Sequence, residues 1–315
     1  MFQILHYDKP IPFMKFAKAG MIFSAALVLI SLVCIFQRGF NWGLDFTGGT
    51  IIEVGFTQSV ELDKVRDTLE GNQIEGATLQ HFGSSQDVLI RLTPKEGVKV
   101  EDQGRMVLAA AQKLDAGTVL KRVEFVGPSV GQELATDGAL AMLASIICIL
   151  VYVAFRFEWR LALGGIASLV HDIVITLGVF SWFQIEFDLT VVAALMTVIG
   201  YSLNDTIVVF DRLRENFRKL RREDTPSVLD ISMTETLSRT IITSGLTFVV
   251  VVALFFKGGP LIHGFSTAML IGVGFGTYSS IYVASALAMY LGVKREHMLP
   301  TQVEKEGADQ KDLLP

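Results

Sequence analysis

Six long apolar runs dominate this sequence and leave few folds open to it: 17–36, 137–155, 161–183, 189–210, 239–256 and 265–291. At 1.5 Å per residue, about 20 helical residues cross the roughly 30 Å hydrocarbon layer of a bilayer. Each run approaches or exceeds that length; the fifth is marginal and its start is the least defined. A hydrophobic share of 51%, with only 19% charged residues and a mean hydropathy of +0.48, argues against a soluble α/β protein with apolar core helices. The first run follows Lys9, Lys15 and Lys18. It is long for a signal-peptide core and lacks a small-residue cleavage site, so it reads as a retained helix. Cys34 and Cys148 lie inside apolar runs and read as small buried hydrophobes, without metal spacing or a disulfide framework.

The short links alternate in charge. Arg156 and Arg160 separate runs two and three. Arg212, Arg214, Arg218, Lys219, Arg221 and Arg222 follow run four, and Lys294 and Arg295 follow run six. The other links carry Gln184, Glu186 and Asp188, or Lys257 and His263. The positive-inside rule then predicts a multi-pass inner-membrane chain with both termini cytoplasmic. The stretch "RLRENFRKLRRED" sets topology on this reading, and as a separate helix it would lie in the membrane interface; nucleic acid is not an expected partner.

Residues 1–40 then form the cytoplasmic N-terminus and first helix, 41–133 a periplasmic domain, 134–292 helices two to six, and 293–315 a charged cytoplasmic tail expected to be disordered after Pro300. Within the domain, "TIIEVGF" reads as a strand and 59–69 as a helix. "ATLQHFG" and "DVLIRL" read as strands around the turn signal Gly83-Ser84-Ser85-Gln86. "QGRMVLAAAQKLD" reads as a helix after a polar, mobile loop at 94–103, and "KRVEFVG" as the last strand. The order β-α-β-β-α-β predicts a ferredoxin-like α+β fold beside a six-helix membrane bundle. His81, alternating with apolar neighbours in a strand, reads as structural.

Charges inside the membrane need a separate account. Asp205 lies in run four, about a turn and a half from its basic end. Arg239 opens run five at that same end, so the two can meet across adjacent helices. His171 and Asp172 lie near the middle of run three. Intramembrane ionisable residues face the bundle interior and often mark proton or ion paths; a static hydrogen-bonded staple is the competing explanation. Gly200, Ser202, Asn204 and Thr206 around Asp205 favour close helix approach and interhelical hydrogen bonds. Gly272, Gly274 and Gly276 in "GVGFGTYSS" read as one thin stripe for close packing.

Four motifs occur together: "GLDFTGGT" from Gly43 to Thr50, "HD" at His171-Asp172, "GYSLNDTIVVFDRLRE" from Gly200 to Glu215, and "TLSRTIITS" from Thr236 to Ser244. In these the chain resembles the SecF family, the smaller membrane subunits of bacterial SecD–SecF complexes and relatives of the resistance-nodulation-division exporters. The resemblance implies six transmembrane helices, a periplasmic domain between the first two, and assistance to preprotein export driven by the proton motive force. It implies a SecD-like partner, the Sec translocon (SecY, SecE and SecG) with accessory membrane subunits, and unfolded preproteins as clients. It places a proton-relay aspartate at Asp205 and its arginine at Arg239, with Asn204 and Thr206 in the same signature, while Asp211 and Arg212 close it in a mainly structural role. His171 and Asp172 are supporting candidates. Protons are the coupling ion; no other cofactor, metal or enzymatic activity is expected.

In "GLDFTGGT" the paired Gly48 and Gly49 follow a polar turn, but no Gly-Lys-Ser/Thr follows, so a phosphate cradle is not supported. Gly43, Asp45, Gly48 and Gly49 read instead as a tight turn from the first helix into the first strand, with Asp45 bonding backbone. Three other functions compete. A small-molecule exporter would need a second large outside domain, for which 181–188 leaves no room. An intramembrane aspartyl protease pairing Asp172 with Asp205 lacks the Gly-x-Gly-Asp pattern. A passive scaffold for the translocon is the third.

Overall fold

The computed structural model describes residues 9–92 and 100–298. Helix α1 (Ala17–Arg38) leads into a two-residue strand, β1 (Asn41–Trp42), and a single helical turn, α2 (Leu44–Thr47). A small domain follows: β2 (Gly49–Gly55), α3 (Leu62–Gly71), β3 (Thr78–Phe82), β4 (Ser84–Leu92), α4 (Val100–Ala111) and β5 (Val119–Val126). The chain then runs through α5 (Pro128–Arg156), α6 (Trp159–Phe183), β6 (Glu186–Phe187), α7 (Leu189–Lys219) and α8 (Thr225–Lys257). It ends in α9 (His263–Ser279), a π-helical segment Ser280–Ser285 and α10 (Ala286–Tyr290), which together make one continuous rod. Among the described residues, six helices are long and apolar enough to cross a membrane. The protein is a multi-pass membrane protein with a mixed α/β domain inserted between its first two spans.

The domain sheet has the order β3-β4-β2-β5, with every neighbouring pair antiparallel. Alternation along β2 sends Ile52 and Val54 to one face, where they pack with Val88 and Ile90 of β4 against Val65 and Leu69 of α3 and Val107 of α4. Ile51 faces the other way and packs with Leu89 beneath Leu44 of α2. Both faces of β2 are therefore covered, which explains a strand that reads as a continuous apolar run.

Several boundaries differ from the sequence reading for physical reasons. The expected four-residue turn at 83–86 is much tighter: Gly83, at φ +77°, reverses the chain, and Ser84 already pairs with Phe82. Helix α4 begins at Val100, inside the stretch read as a loop. Gln103 made that stretch look polar, yet it is buried and its side-chain oxygen accepts the Thr50 hydroxyl at 2.6 Å. The rest of that expected loop, at 94–99, lies outside the described residues, as does the tail after Pro300. His81 is exposed on β3, an edge strand, so it fills no core position. The basic stretch from Arg212 does not form a separate interfacial helix, because α7 runs on without a break to Lys219.

The spans are not equally enclosed. In their most apolar 18-residue stretches, 56% of residues are buried in α6 and α7 and 44% in the α9–α10 rod. The shares fall to 17% in α1, 11% in α8 and 6% in α5. Helices α6, α7 and α9 thus form the centre, and α5 and α8 turn most of their surface outward. Cys34 is buried, but Cys148 on α5 is exposed for that reason.

Close approach at the centre uses small residues. A methyl group on Gly272 would overlap the Val198 side chain of α7, and one on Gly276 would come within 3.2 Å of Ser202. Gly274 has open space around it and belongs to another face. The expected three-glycine stripe is therefore a pair, because a step of two residues turns about 200° around a helix while a step of four returns to the same side.

Candidate functional site

Two sets of buried polar groups lie within the bundle. The first centres on Asp172 of α6, which is 1% exposed. One carboxylate oxygen is 2.9 Å from Nδ1 of His171. The other accepts the Ser202 hydroxyl of α7 at 2.6 Å and the Ser279 hydroxyl of α9 at 2.8 Å. One carboxylate therefore ties together the three central helices. His171 is also buried, with its ring against Phe275 and Tyr278. Its Nε2 has no hydrogen-bond partner among the described residues.

The second set centres on Asp205 of α7. The buried stripe along this helix includes Val191, Leu195, Val198, Ser202, Asp205 and Val209, spaced by three or four residues as one helical face requires. Asp205 is 5% exposed, and its Oδ1 accepts the Thr240 hydroxyl of α8 at 3.2 Å. Its Oδ2 and the neighbouring Thr206 Oγ1 are buried without a partner among the described residues. Ser202 precedes Asp205 by one turn, so the two carboxylates address adjoining turns of α7.

Asn204 and Arg239 are placed differently. Asn204 is rotated about 100° from Asp205 and is exposed, in line with Thr197 and Gly200. Arg239 is exposed and makes no ion pair with Asp205 among the described residues; the next residue, Thr240, is the one that turns inward. The charges stand out in the sequence and the hydroxyls of Thr240 and Ser279 do not, although both lie inside "TLSRTIITS" and "GVGFGTYSS". The available signal was helical spacing: Thr236, Thr240 and Ser244 recur every four residues and form the buried polar edge of α8. Asp211 and Arg212 lie farther along α7, in ion pairs with Arg156 and Glu235 respectively.

A third set of contacts joins the domain to the bundle. The Gly43 N–H donates to the Phe187 carbonyl at 2.8 Å, and β1 pairs in parallel with β6. Asp45 accepts the Leu189 N–H at 3.0 Å, so a residue before the domain caps the first turn of the helix that carries Asp205. Asp188 caps the same turn through the Val191 N–H at 2.9 Å. Gly48 and Gly49 have φ of +65° and +124°. A Cβ on Gly48 would come within 3.0 Å of Pro128, and one on Gly49 within 2.6 Å of the Leu92 carbonyl. Only glycine suits both the conformation and the space. From β4, Arg91 donates to the Trp42 carbonyl and pairs with Glu186 at 2.5 Å. Burial raises the Glu186 pKa above the usual glutamate range, with the Arg91 guanidinium opposing the shift and Asp188 adding to it.

Among the described residues, no group of three or more His, Cys, Asp or Glu side chains is arranged to hold a metal ion. Residues 106–294 match the family described as protein export membrane protein SecD/SecF, C-terminal, and residues 35–60 match the SecD/SecF GG motif. The protein translocase subunit SecF of Vibrio alginolyticus is 56% identical over 98% of both chains. The chain belongs to the SecF family. The SecF of Escherichia coli O157:H7 is 52% identical over 99% of this chain and 98% of its own. The crystal structure of SecDF, a translocon-associated membrane protein from Thermus thermophilus, superposes with a TM-score of 0.81 at 35% identity. The match covers 90% of this chain and 39% of that longer one. As a SecF-type chain, this protein is an accessory subunit of the Sec protein translocase.

Proposed function

We propose that this subunit couples the proton motive force to preprotein export, with Asp205 as the proton-carrying group. The observation that carries this reading is the contrast between the two buried aspartates. Asp172 has partners on both oxygens, and its two hydroxyl partners on α7 and α9 tie those helices to α6. Among the described residues, Asp205 has one long hydroxyl bond and a buried oxygen with no partner. A buried polar atom left unsatisfied costs about 1–3 kcal/mol, and more when it carries charge; taking up a proton removes that charge. A group that gains on taking up a proton and strains on losing it suits a relay; a fully bonded one suits a staple. Arg239, one residue from Thr240, modulates Asp205 when the α7–α8 contact shifts. Thr206 and the outward-facing Asn204 tune the same turn, and His171 with Asp172 supports the relay as the staple that fixes α6 against α7 and α9.

The exposed line of Thr197, Gly200 and Asn204 on α7, flanked by the weakly enclosed α5 and α8, suits a second helical bundle. We assign it to a SecD-like partner; the longer Thermus chain, of which this one matches 39%, supports that pairing. The assembly would act with SecY, SecE, SecG and accessory membrane subunits. Basic residues after α5, α7 and α10 support cytoplasmic termini, which puts the inserted domain in the periplasm. Its sheet order and antiparallel pairing support the ferredoxin-like reading, and there it would hold the emerging preprotein against backsliding.

The test is preprotein export into membrane vesicles containing the chain and its SecD-like partner, with and without a proton gradient. Asp205→Asn should still copurify with the partner and lose the gradient-dependent part of export. If that part survives in an assembled complex, the relay assignment fails and a scaffold role takes its place.

A further inference from the structure

Helix α7 outlasts its neighbour α5. Arg156, the last residue of α5, pairs with Asp211 at 2.5 Å. The remaining residues of α7, to Lys219, rise about 12 Å beyond that contact. In the angle between the two helices lies a cavity of about 410 Å³ lined by Arg156, Asp211, Arg214, Glu215, Arg218 and Lys219. The five residues from α7 are spaced 3, 1, 3 and 1 apart and so share one face.

The charge in this cavity is unbalanced. Four cations face two carboxylates, and both carboxylates are already engaged. Asp211 is held by Arg156, with Arg214 at 4.0 Å; Glu215 is held by Lys219 at 2.5 Å and by Arg212 at 2.6 Å. Among the described residues, Arg218 spends only its Nε, on the Met298 carbonyl at 3.1 Å. The remaining guanidinium N–H groups of Arg214 and Arg218 have no partner among the described residues and can meet an incoming anion. The carbonyl ends of α5 and α7 oppose an anion, but each equals only about half a charge and fades within a turn, so the net of two positive charges prevails.

What lies beside the cavity identifies the anion's source. Just before Arg156, α5 presents Phe155, which is 89% exposed, and half-exposed Tyr152 and Val151. These belong to the span that is least enclosed by the protein. An apolar wall running into a basic pocket at the end of a membrane helix matches a molecule with an acyl chain joined to a phosphate. We propose that this cavity binds the phosphate of an anionic phospholipid, with the acyl chains lying along α5. An acidic segment of a partner protein would satisfy the charge but leaves the Phe155 face without a role.

The test uses the chain copurified with its SecD-like partner in neutral detergent. Native mass spectrometry would measure retained dioleoylphosphatidylglycerol against dioleoylphosphatidylcholine. The wild type should retain the anionic lipid preferentially. Arg214→Gln with Arg218→Gln should weaken that retention about 25-fold, since each surface cation contributes roughly a factor of five. Lysine at both positions should preserve it, and Glu215→Gln should strengthen it. No preference in the wild type, or a preference unchanged by the double glutamine variant, overturns the proposal. Displacement of the lipid by an equal concentration of inorganic phosphate would make this a free-phosphate site. Loss of the partner with lipid retention intact would make it a protein contact. Asp205 is untouched throughout, so this result stands apart from the relay assignment.

Discussion

The inserted domain and the membrane bundle solve opposite problems. In the domain, Ile52, Val54, Val88, Ile90, Val65 and Val107 are essentially inaccessible, and the charges lie outside. At the centre of the bundle sit Asp172, Ser202, Ser279, His171, Asp205 and Thr240, while Phe36 and Phe155 are 85% and 89% exposed. Removing apolar surface from water drives the first arrangement, at about 25 cal/mol per Å². No such force acts between helices already in lipid. Their association rests on close packing and interhelical hydrogen bonds instead. The bundle's polar interior is thus its adhesive, and it is where we propose that protons act.

The comparison breaks most readily in the domain. Ile52→Ala should destabilise the domain by about 2–5 kcal/mol, the usual cost of emptying a full core position, read as faster proteolysis within residues 49–126 of the detergent-purified chain. A neutral result would mean that the domain is held by its seat on the bundle and not by its own core. Asp172→Ala should have a smaller effect, about 1–2 kcal/mol, because hydrogen bonds between membrane helices contribute little each. Thermal unfolding in detergent would measure it. Asp172→Asn keeps an acceptor and should recover part of the loss; if it behaves like alanine, the charge and not the three-helix hydrogen bonding is what matters.

The smallest effect sharpens the junction between the two parts. Because burial raises the Glu186 pKa, the folded state holds this proton over a range of pH where the unfolded chain has released it. Stability linked to this group is then fully present below the ordinary glutamate value and declines as pH rises through the raised value. Glu186→Gln should flatten that decline in a pH series of unfolding midpoints. A slope equal to wild type would place the titration elsewhere.

The periodicities that were legible in the sequence are those tied to backbone geometry. Six spans, four strands, two domain helices and their order all follow from runs of apolar residues and the turns between them. The motif residues were legible as chemistry, but their directions were not. Asn204 and Asp205 are neighbours in one polar signature, yet one faces outward and the other is enclosed. Arg239 drew attention as the charge, while Thr240 makes the contact. In a water-soluble domain, polarity tells which face is outside; Ile51 and Ile52 are both buried because β2 is covered on both sides. In lipid the rule fails, since the hydrocarbon and the helix interface are equally apolar.

How many times this chain crosses the membrane, where its domain is inserted and which family it belongs to were already legible in the sequence. These depend on length, hydropathy and local motif, all of which are properties of contiguous residues. Only the tertiary structure decided which carboxylate is fully bonded and which is left one partner short. It also showed that a basic pocket forms where α7 outruns α5. Those outcomes depend on how far and at what angle separate helices meet, and a rotation of about 100° per residue puts sequence neighbours on different sides of a helix.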